Sequence, residues 1–191
     1  MDQDDKQLIK DSLSGDSEAF RLLMTRHLPA VYSFTFRLTG DEGGASDITQ
    51  ETFVKVWKNL RKFKDKYSFK TWLFAIARNA AVDWLRKKRS VPFSSLMDKE
   101  SETSFEETLV DPAALPDELF ERADLKEILG EALTRLSLEK KTIIILHISQ
   151  GLSFSEIAEV VGRPMNTVKS QYHRAIEAIR ETLAAEKRPI I

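Results

Sequence analysis

Apolar residues recur along this chain at helical spacing, in stripes broken by short polar stretches. Leu8, Ile9 and Leu13 share one face of a predicted short first helix, and Gly15 fits the residue that closes it. Ser17 is placed to cap a second helix carrying Phe20, Leu22, Leu23 and Met24. Pro29 falls inside that pattern. It predicts a kink or a fresh helix start, because its ring removes a backbone donor and crowds the preceding turn. Val31, Phe34 and Leu38 continue the stripe, and their spacing predicts core packing for the aromatics here. Thr39-Gly40-Asp41 ends this run. A third helix follows from about Glu42 to Phe63, started by Asp41 or Ser46, with Ile48, Phe53, Val56, Trp57 and Leu60 toward a core. Residues 63–69 read as a loop. Ser68 can cap a helix to about Arg89 that buries Leu73, Ile76, Ala77, Ala80 and Trp84, while Lys70, Arg78, Asn79, Arg86 and Lys87 point elsewhere.

Residues 91–116 carry Ser, Glu, Asp and Pro with no sustained period, which predicts a flexible linker. Beyond it, Leu125, Ile128, Leu129, Ala132, Leu133 and Leu136 resume the helical stripe. Ser137 can cap the next helix, and Gly151 closes it. Ser153 and Glu156 have the spacing of a capping box, in which each satisfies a backbone donor near the other. Ile157, Ala158 and Val161 face inward, and Gly162 ends this short helix. Pro164 suits a first helical position, and Val168, Tyr172, Ile176, Ile179 and Leu183 form the last core stripe. A short helix, a glycine turn and a longer helix with a polar start make a helix-turn-helix. The fold class is therefore all-α: two small helical domains joined by a flexible linker, the second a helix-turn-helix domain.

Charge changes this picture more than bulk composition does. The net charge of -1 hides a strong segregation. Residues 51–90 hold 12 basic against 3 acidic side chains, and residues 91–131 hold 3 basic against 12 acidic. A basic block of that size points to a polyanion partner. The acidic block fits a linker or a segment lying on a basic surface. With no cysteine, disulfides and thiolate metal sites are excluded, and a reducing cytoplasm is the expected setting. No apolar run reaches the roughly 18 residues of a membrane span. The acidic start, MDQDDKQ, does not resemble a secretory signal.

Three candidate surfaces emerge. Asp47, Gln50, Glu51, Val54 and Lys55 share a face of the third helix, at steps of three and four residues; read alone, this is an ordinary solvated face with Glu51 paired to Lys55. The lysine-rich loop with Phe63, Tyr67 and Phe69, leading into Trp72, combines cations for phosphates with rings for unstacked bases. It equally fits a charged loop over a core aromatic cluster. In the helix-turn-helix, Asn166, Thr167, Lys169, Ser170, Gln171, His173 and Arg174 occupy the start of the second helix, where base edges of the major groove are met. His27 and His147 have no carboxylates at ligand spacing beside them, so neither a metal nor another cofactor is expected. Gly43-Gly44 is too little for a phosphate loop, and no nucleophile–base pair stands out, so no enzyme is expected.

DITQETFVKVW from Asp47, FKTWLFAIARNAAVDWLRKKR from Phe69 and GLSFSEIAEVVGRPMNTVKSQYHRAIEAIR from Gly151, with an acidic linker between the second and third, resemble the sigma-70 family of bacterial RNA polymerase sigma factors. The two-domain form is that of the extracytoplasmic-function (ECF) group. The resemblance covers almost the whole chain and rests on separate motif sets in the right order. It implies a region 2 over residues 5–90, a linker over 91–117 and a region 4 over 118–186. It also implies that the D-x-x-Q-E helix binds the clamp helices of the polymerase largest subunit, through Asp47, Gln50 and Glu51 with Val54 and Lys55. Lys64, Asp65, Lys66, Phe69, Lys70, Trp72, Asn79 and Arg86 would recognise and melt the promoter -10 element. The seven helix-turn-helix residues would read the -35 element, and the apolar outer face of region 4 would dock on the flap of the second-largest subunit. The linker would thread the RNA exit path, and an anti-sigma factor is an implied partner. Two departures bear on promoter choice: Gln171 stands where Arg is common, and Asn166 where a small residue is common. The loop is also richer in lysine than usual and carries Tyr67. The competing readings are a ligand-sensing helix-turn-helix regulator, which binds duplex operators alone, and an adaptor that binds only protein.

Overall fold

In the computed structural model, residues 4–64, 66–90 and 133–186 are described, and every regular element among them is helical. They fall into two units, one within Met1–Val91 and one within Pro92–Ile191.

The first unit is a four-helix bundle of α1 (Asp5–Leu13), α2 (Ser17–Thr39), α3 (Glu42–Asn59) and α4 (Phe69–Ser90), with a 3₁₀ turn over Leu60–Lys62. The long α2 packs against the other three, and α3 also packs against α4. Leu8, Leu23, Val31, Phe34, Ile48, Val56, Leu73, Phe74 and Ala77 form its fully buried centre, where Phe34 and Phe74 meet edge to face at 5.2 Å. Three sequence expectations about α1 and α2 need correction. Asp16, not Ser17, caps α2, accepting from the backbone of Glu18 and Ala19. Pro29 neither ends nor restarts α2, which runs unbroken through it. Its ring lies on the exposed side, where water can satisfy the carbonyl that loses a donor, and packing on three helices holds the rest. Leu13 is exposed rather than inside, because α1 ends there.

The start of α3 is tied to the end of α4. Asp41 caps α3 by accepting from the Gly44 backbone at 2.6 Å, and its other oxygen takes Lys88 Nζ at 2.8 Å. Lys88 also lies over the Trp84 ring at 4.9 Å. The Lys88 hydrogen bond, then the Gly44 N–H, hold the Asp41 carboxyl below its ordinary value of 3.8, against a smaller opposing effect of burial. A depressed folded-state value means that this stabilisation is present above the unfolded value and lost as pH falls through the folded one. Asp41→Asn is therefore expected to flatten the acid limb of the stability curve below about pH 4. Urea unfolding at a series of pH values would check this, and an acid limb as steep as that of the unaltered protein would count against it.

The second unit contains α5 (Leu138–Ile144), a π-helical turn over Ile145–Ser149, α6 (Phe154–Val161) and α7 (Met165–Glu186). Ser137 caps α5 through the Lys140 N–H. Ile143, Ile144, Ile145 and Leu146 are all buried; such a run fits an element covered on more than one side. Ile144, Ala175 and Ile179 form a cluster that Leu133, Leu136, Ile148, Tyr172 and Ile176 flank. The expected stripe residues 125–132, and the Leu183 side chain, lie outside the described residues.

Candidate polymerase and nucleic-acid interfaces

The face of α3 opposite its core stripe is built by helical phase. Ile48, Phe53 and Val56 turn inward, which leaves Asp47, Gln50, Glu51 and Val54 exposed and Lys55 half-buried. Glu51 and Lys55 pair at 2.7 Å. Trp57 does not join the core as its spacing suggests: it is 57% exposed, one turn beyond Val54, which is 50% exposed. Val56 and Leu60 already fill the interior, so the indole lies outward against the edge of Phe20, ring centroids 4.6 Å apart. An acidic start followed by two exposed apolar side chains makes this face a candidate protein-binding surface.

The loop after the 3₁₀ turn is closed by rings. Phe63 and Phe69 meet edge to face at 5.8 Å, and Trp72 lies 5.3 Å from the first and 5.9 Å from the second. Ser68 caps α4, its hydroxyl accepting from the Thr71 N–H at 3.1 Å. Lys64 and Lys66 are exposed, with Lys66 Nζ 4.8 Å over the half-buried Tyr67 ring. Lys70 and Trp72 are half-buried. Phe69 differs from the other candidates: at 5% exposure its ring is packed into the neck of the loop and presents almost no surface to an outside group. Asp65 lies outside the described residues. Further along α4, Asn79 and Arg86 are exposed, and steps of three and four residues link Trp72, Ile76, Asn79, Asp83 and Arg86. The spacing did not reveal that each has a neighbour: Asn79 Oδ1 accepts from Arg78 at 3.0 Å, and Arg86 pairs with Asp83 at 3.1 Å.

The third surface rests on a helix-turn-helix with reciprocal capping. Ser153 accepts from the Glu156 N–H while the Glu156 carboxylate accepts from the Ser153 N–H. Gly162 takes a left-handed conformation, with φ 67°, that turns the chain into α7. Pro164 stands just before α7, its carbonyl accepting from the Val168 N–H. On α7, Asn166, Lys169, Ser170, His173 and Arg174 are exposed, whereas Thr167 and Gln171 are half-buried. The Ser170 hydroxyl donates to the Thr167 carbonyl at 2.9 Å, leaving its oxygen lone pairs for an outside donor. Beneath this face Tyr172 meets His147 at 4.9 Å and Phe154 at 5.2 Å, and the last two stack at 4.4 Å. His147 Nδ1 donates to the Leu152 carbonyl at 2.8 Å, which fixes the ring under the turn. Sequence spacing marked Tyr172 as core and gave no sign of this aromatic brace. Among the described residues, no cluster of three or more His, Cys, Asp or Glu could hold a metal ion, and no helix is long and apolar enough to cross a membrane.

A helix face with exposed apolar side chains, a basic aromatic loop and a helix-turn-helix on one chain accord with a transcription initiation factor, and the comparisons with known proteins show that class. The chain belongs to the ECF group of the sigma-70 family, whose members direct promoter-specific transcription initiation. The models for sigma-70 region 2 and sigma-70 region 4 match residues 23–91 and 126–179. The ECF RNA polymerase sigma factor SigW of Bacillus subtilis is 30% identical over 180 residues, covering 93% of this chain and 96% of that protein. The ECF sigma-E factor of Escherichia coli is 32% identical over 176 residues, covering 92% of each. Among solved structures, the sigma factor RpoE of Bartonella quintana, in complex with the anti-sigma factor NepR, matches with a TM-score of 0.68 at 28% identity, over 88% of this chain and 98% of that one. CnrH in complex with the cytosolic domain of CnrY shares the fold, with a TM-score of 0.69 at 24% identity, over 96% and 99%.

Proposed function

We propose that this ECF sigma factor divides its work among three surfaces, with region 2 over residues 5–90, a linker over 91–117 and region 4 over 118–186. Asp47, Gln50, Glu51, Val54 and Lys55, extended by Trp57, grip the clamp helices of the polymerase largest subunit. Lys64, Asp65, Lys66, Lys70, Trp72, Asn79 and Arg86 engage the -10 element, with Phe69 supporting them from the neck. Asn166, Thr167, Lys169, Ser170, Gln171, His173 and Arg174 read the -35 element, while the outer face of region 4 meets the flap. The factor works in the cytoplasm without catalysing a reaction or holding a cofactor, and an anti-sigma factor restrains it, as NepR partners RpoE.

The observation that carries this reading is the α3 face: four of its five candidate grip side chains are exposed and an indole stands in water beside them. A large apolar ring left in solvent loses transfer energy that a partner surface would recover. Reconstitution tests the whole assignment. Core polymerase, the full chain and a genomic promoter library are combined and the transcript starts sequenced. Starts sharing one spaced pair of elements, and appearing only when the chain is added, are expected. Tight binding to duplex operators without polymerase, with no new starts, would replace the reading by a conventional operator-binding regulator.

A further inference from the structure

The neck of the DNA loop has a second support, which comes from the opposite end of the unit's sequence. Phe69 meets the ring of His27 on α2, centroids 5.3 Å apart. His27 is 9% exposed, and its Nε2 lies 2.7 Å from Asp5 Oδ2. The other oxygen of that carboxylate takes Arg26 Nη1 at 2.7 Å. A carboxylate can only accept, so Nε2 carries the proton and donates it. Held at that tip, the imidazole cannot swing about its side-chain axis without breaking the bond, and its ring is kept against Phe69. A chain of contacts thus runs from the first turn of α1 through His27 to Phe69, and from there to Phe63 and Trp72.

We infer that Asp5 and His27 are positioning residues for the -10 loop, although neither is placed to touch DNA in the proposed reading. The inference rests on the region 2 assignment above. Its physical basis is preorganisation. Taking a base out of the stack is costly, and a loop that must also be ordered at that moment adds its own entropy to the barrier. A neck already fixed by Phe63, Phe69 and Trp72 presents Lys64, Lys66 and Tyr67 in one arrangement. Asp5 decides whether His27 stays in the position that fixes it. Packing alone does not explain the arrangement, because an apolar side chain could fill the space beside Phe69 without a part-buried charge-assisted bond to another helix.

The test uses the full chain assembled with core polymerase on a duplex promoter found by transcript-start sequencing. Core affinity, the rate of open-complex formation (permanganate reactivity of unpaired thymines) and holoenzyme affinity for single-stranded -10 non-template DNA are compared. Asp5→Ala is expected to leave core affinity within about twofold while slowing opening about tenfold, the scale of one lost charge-assisted hydrogen bond. Single-strand affinity should fall with it. Asp5→Asn, which keeps an acceptor for Nε2–H, is expected to restore most of the rate. Arg26→Ala, which removes a partner of the Asp5 carboxylate but leaves the acceptor of His27 in place, is expected to open promoters as the unaltered protein does. Three results would each overturn the inference: opening unchanged in Asp5→Ala; core affinity falling in parallel with opening; or Arg26→Ala slowing opening as much as Asp5→Ala. A failure of the region 2 assignment looks different, because the unaltered holoenzyme would then open no promoter.

Discussion

Trp57→Ala is expected to weaken binding to core polymerase by about 30-fold or more, the effect of losing an interface hot spot. The ring sits at 57% exposure and Val54 at 50%, on the helix face that also carries Gln50 and Glu51. Phe20, with its ring centroid 4.6 Å away, meets it edge to face, which orients the indole without burying it. A preoriented aromatic loses little rotamer freedom on docking, and its apolar area is removed from water only in the complex. Thermal stability should therefore change by about 0.5 kcal/mol or less, as for surface substitutions outside the core. Lys55→Ala is the contrasting variant. It breaks a surface pair with Glu51, worth about 0.3–0.5 kcal/mol on a helix, so it should cost little stability and weaken core binding far less than Trp57→Ala does. Titration of labelled core polymerase and thermal melting give the two readouts. If Trp57→Ala lost stability but bound core normally, the indole would be a packing residue and the grip would end at Lys55.

That prediction also shows where sequence patterning stops. Helical phase identifies Leu8, Leu23, Ile48, Val56, Leu73 and Val168 as interior because each lies near the centre of its stripe, where a step of a few tens of degrees does not move it into solvent. Trp57 lies at the border of its stripe, one residue past Val56. There the side on which a bulky ring settles depends on the volume its neighbours have taken, which a period cannot express. Capping was legible where its geometry is local, as at Ser137, Ser68 and the Ser153–Glu156 box. The grip face and the exposed turn of α7 were legible as positions, since exposure follows from phase. Their proposed roles rest on the whole motif order, because a surface Glu–Lys pair reads the same on any helix. The aromatic neck was legible only as a composition. That Phe69 is buried, that His27 braces it and that His147 underlies Tyr172 are contacts between helices far apart in sequence, and no local rule encodes them.

The largest effect on stability is expected from a residue that looks dispensable. Gly44→Ala should destabilise the first unit by about 2 kcal/mol net, because overpacking a rigid site outweighs the gain from a better helix former. A methyl group at Gly44 would lie 2.4 Å from Trp84 Cζ2, 2.7 Å from Cη2 and 2.9 Å from Cε2. The obstacle is a fused ring, not the free end of a flexible chain. Lys88 lies over that ring and is itself bonded to Asp41, so an indole that moves aside disturbs the α3 cap. If α3 moves instead, it carries Asp41 away from Lys88, which weakens the 2.8 Å bond between the two helices, and the first proposed grip residue, Asp47, shifts with the helix start. The melting temperature should fall by roughly 10 °C for a unit of this size, and core affinity should fall as well. In a Trp84→Ala background the ring is gone, and the same glycine-to-alanine change should become neutral or slightly stabilising through helix propensity. The coupling between the two sites would then be about 2 kcal/mol, far above the few tenths expected of independent positions. Melting curves of the four proteins in that cycle measure it directly. Additive effects would mean that α3 and α4 tolerate a wider spacing, and that the glycine serves some purpose other than their close approach.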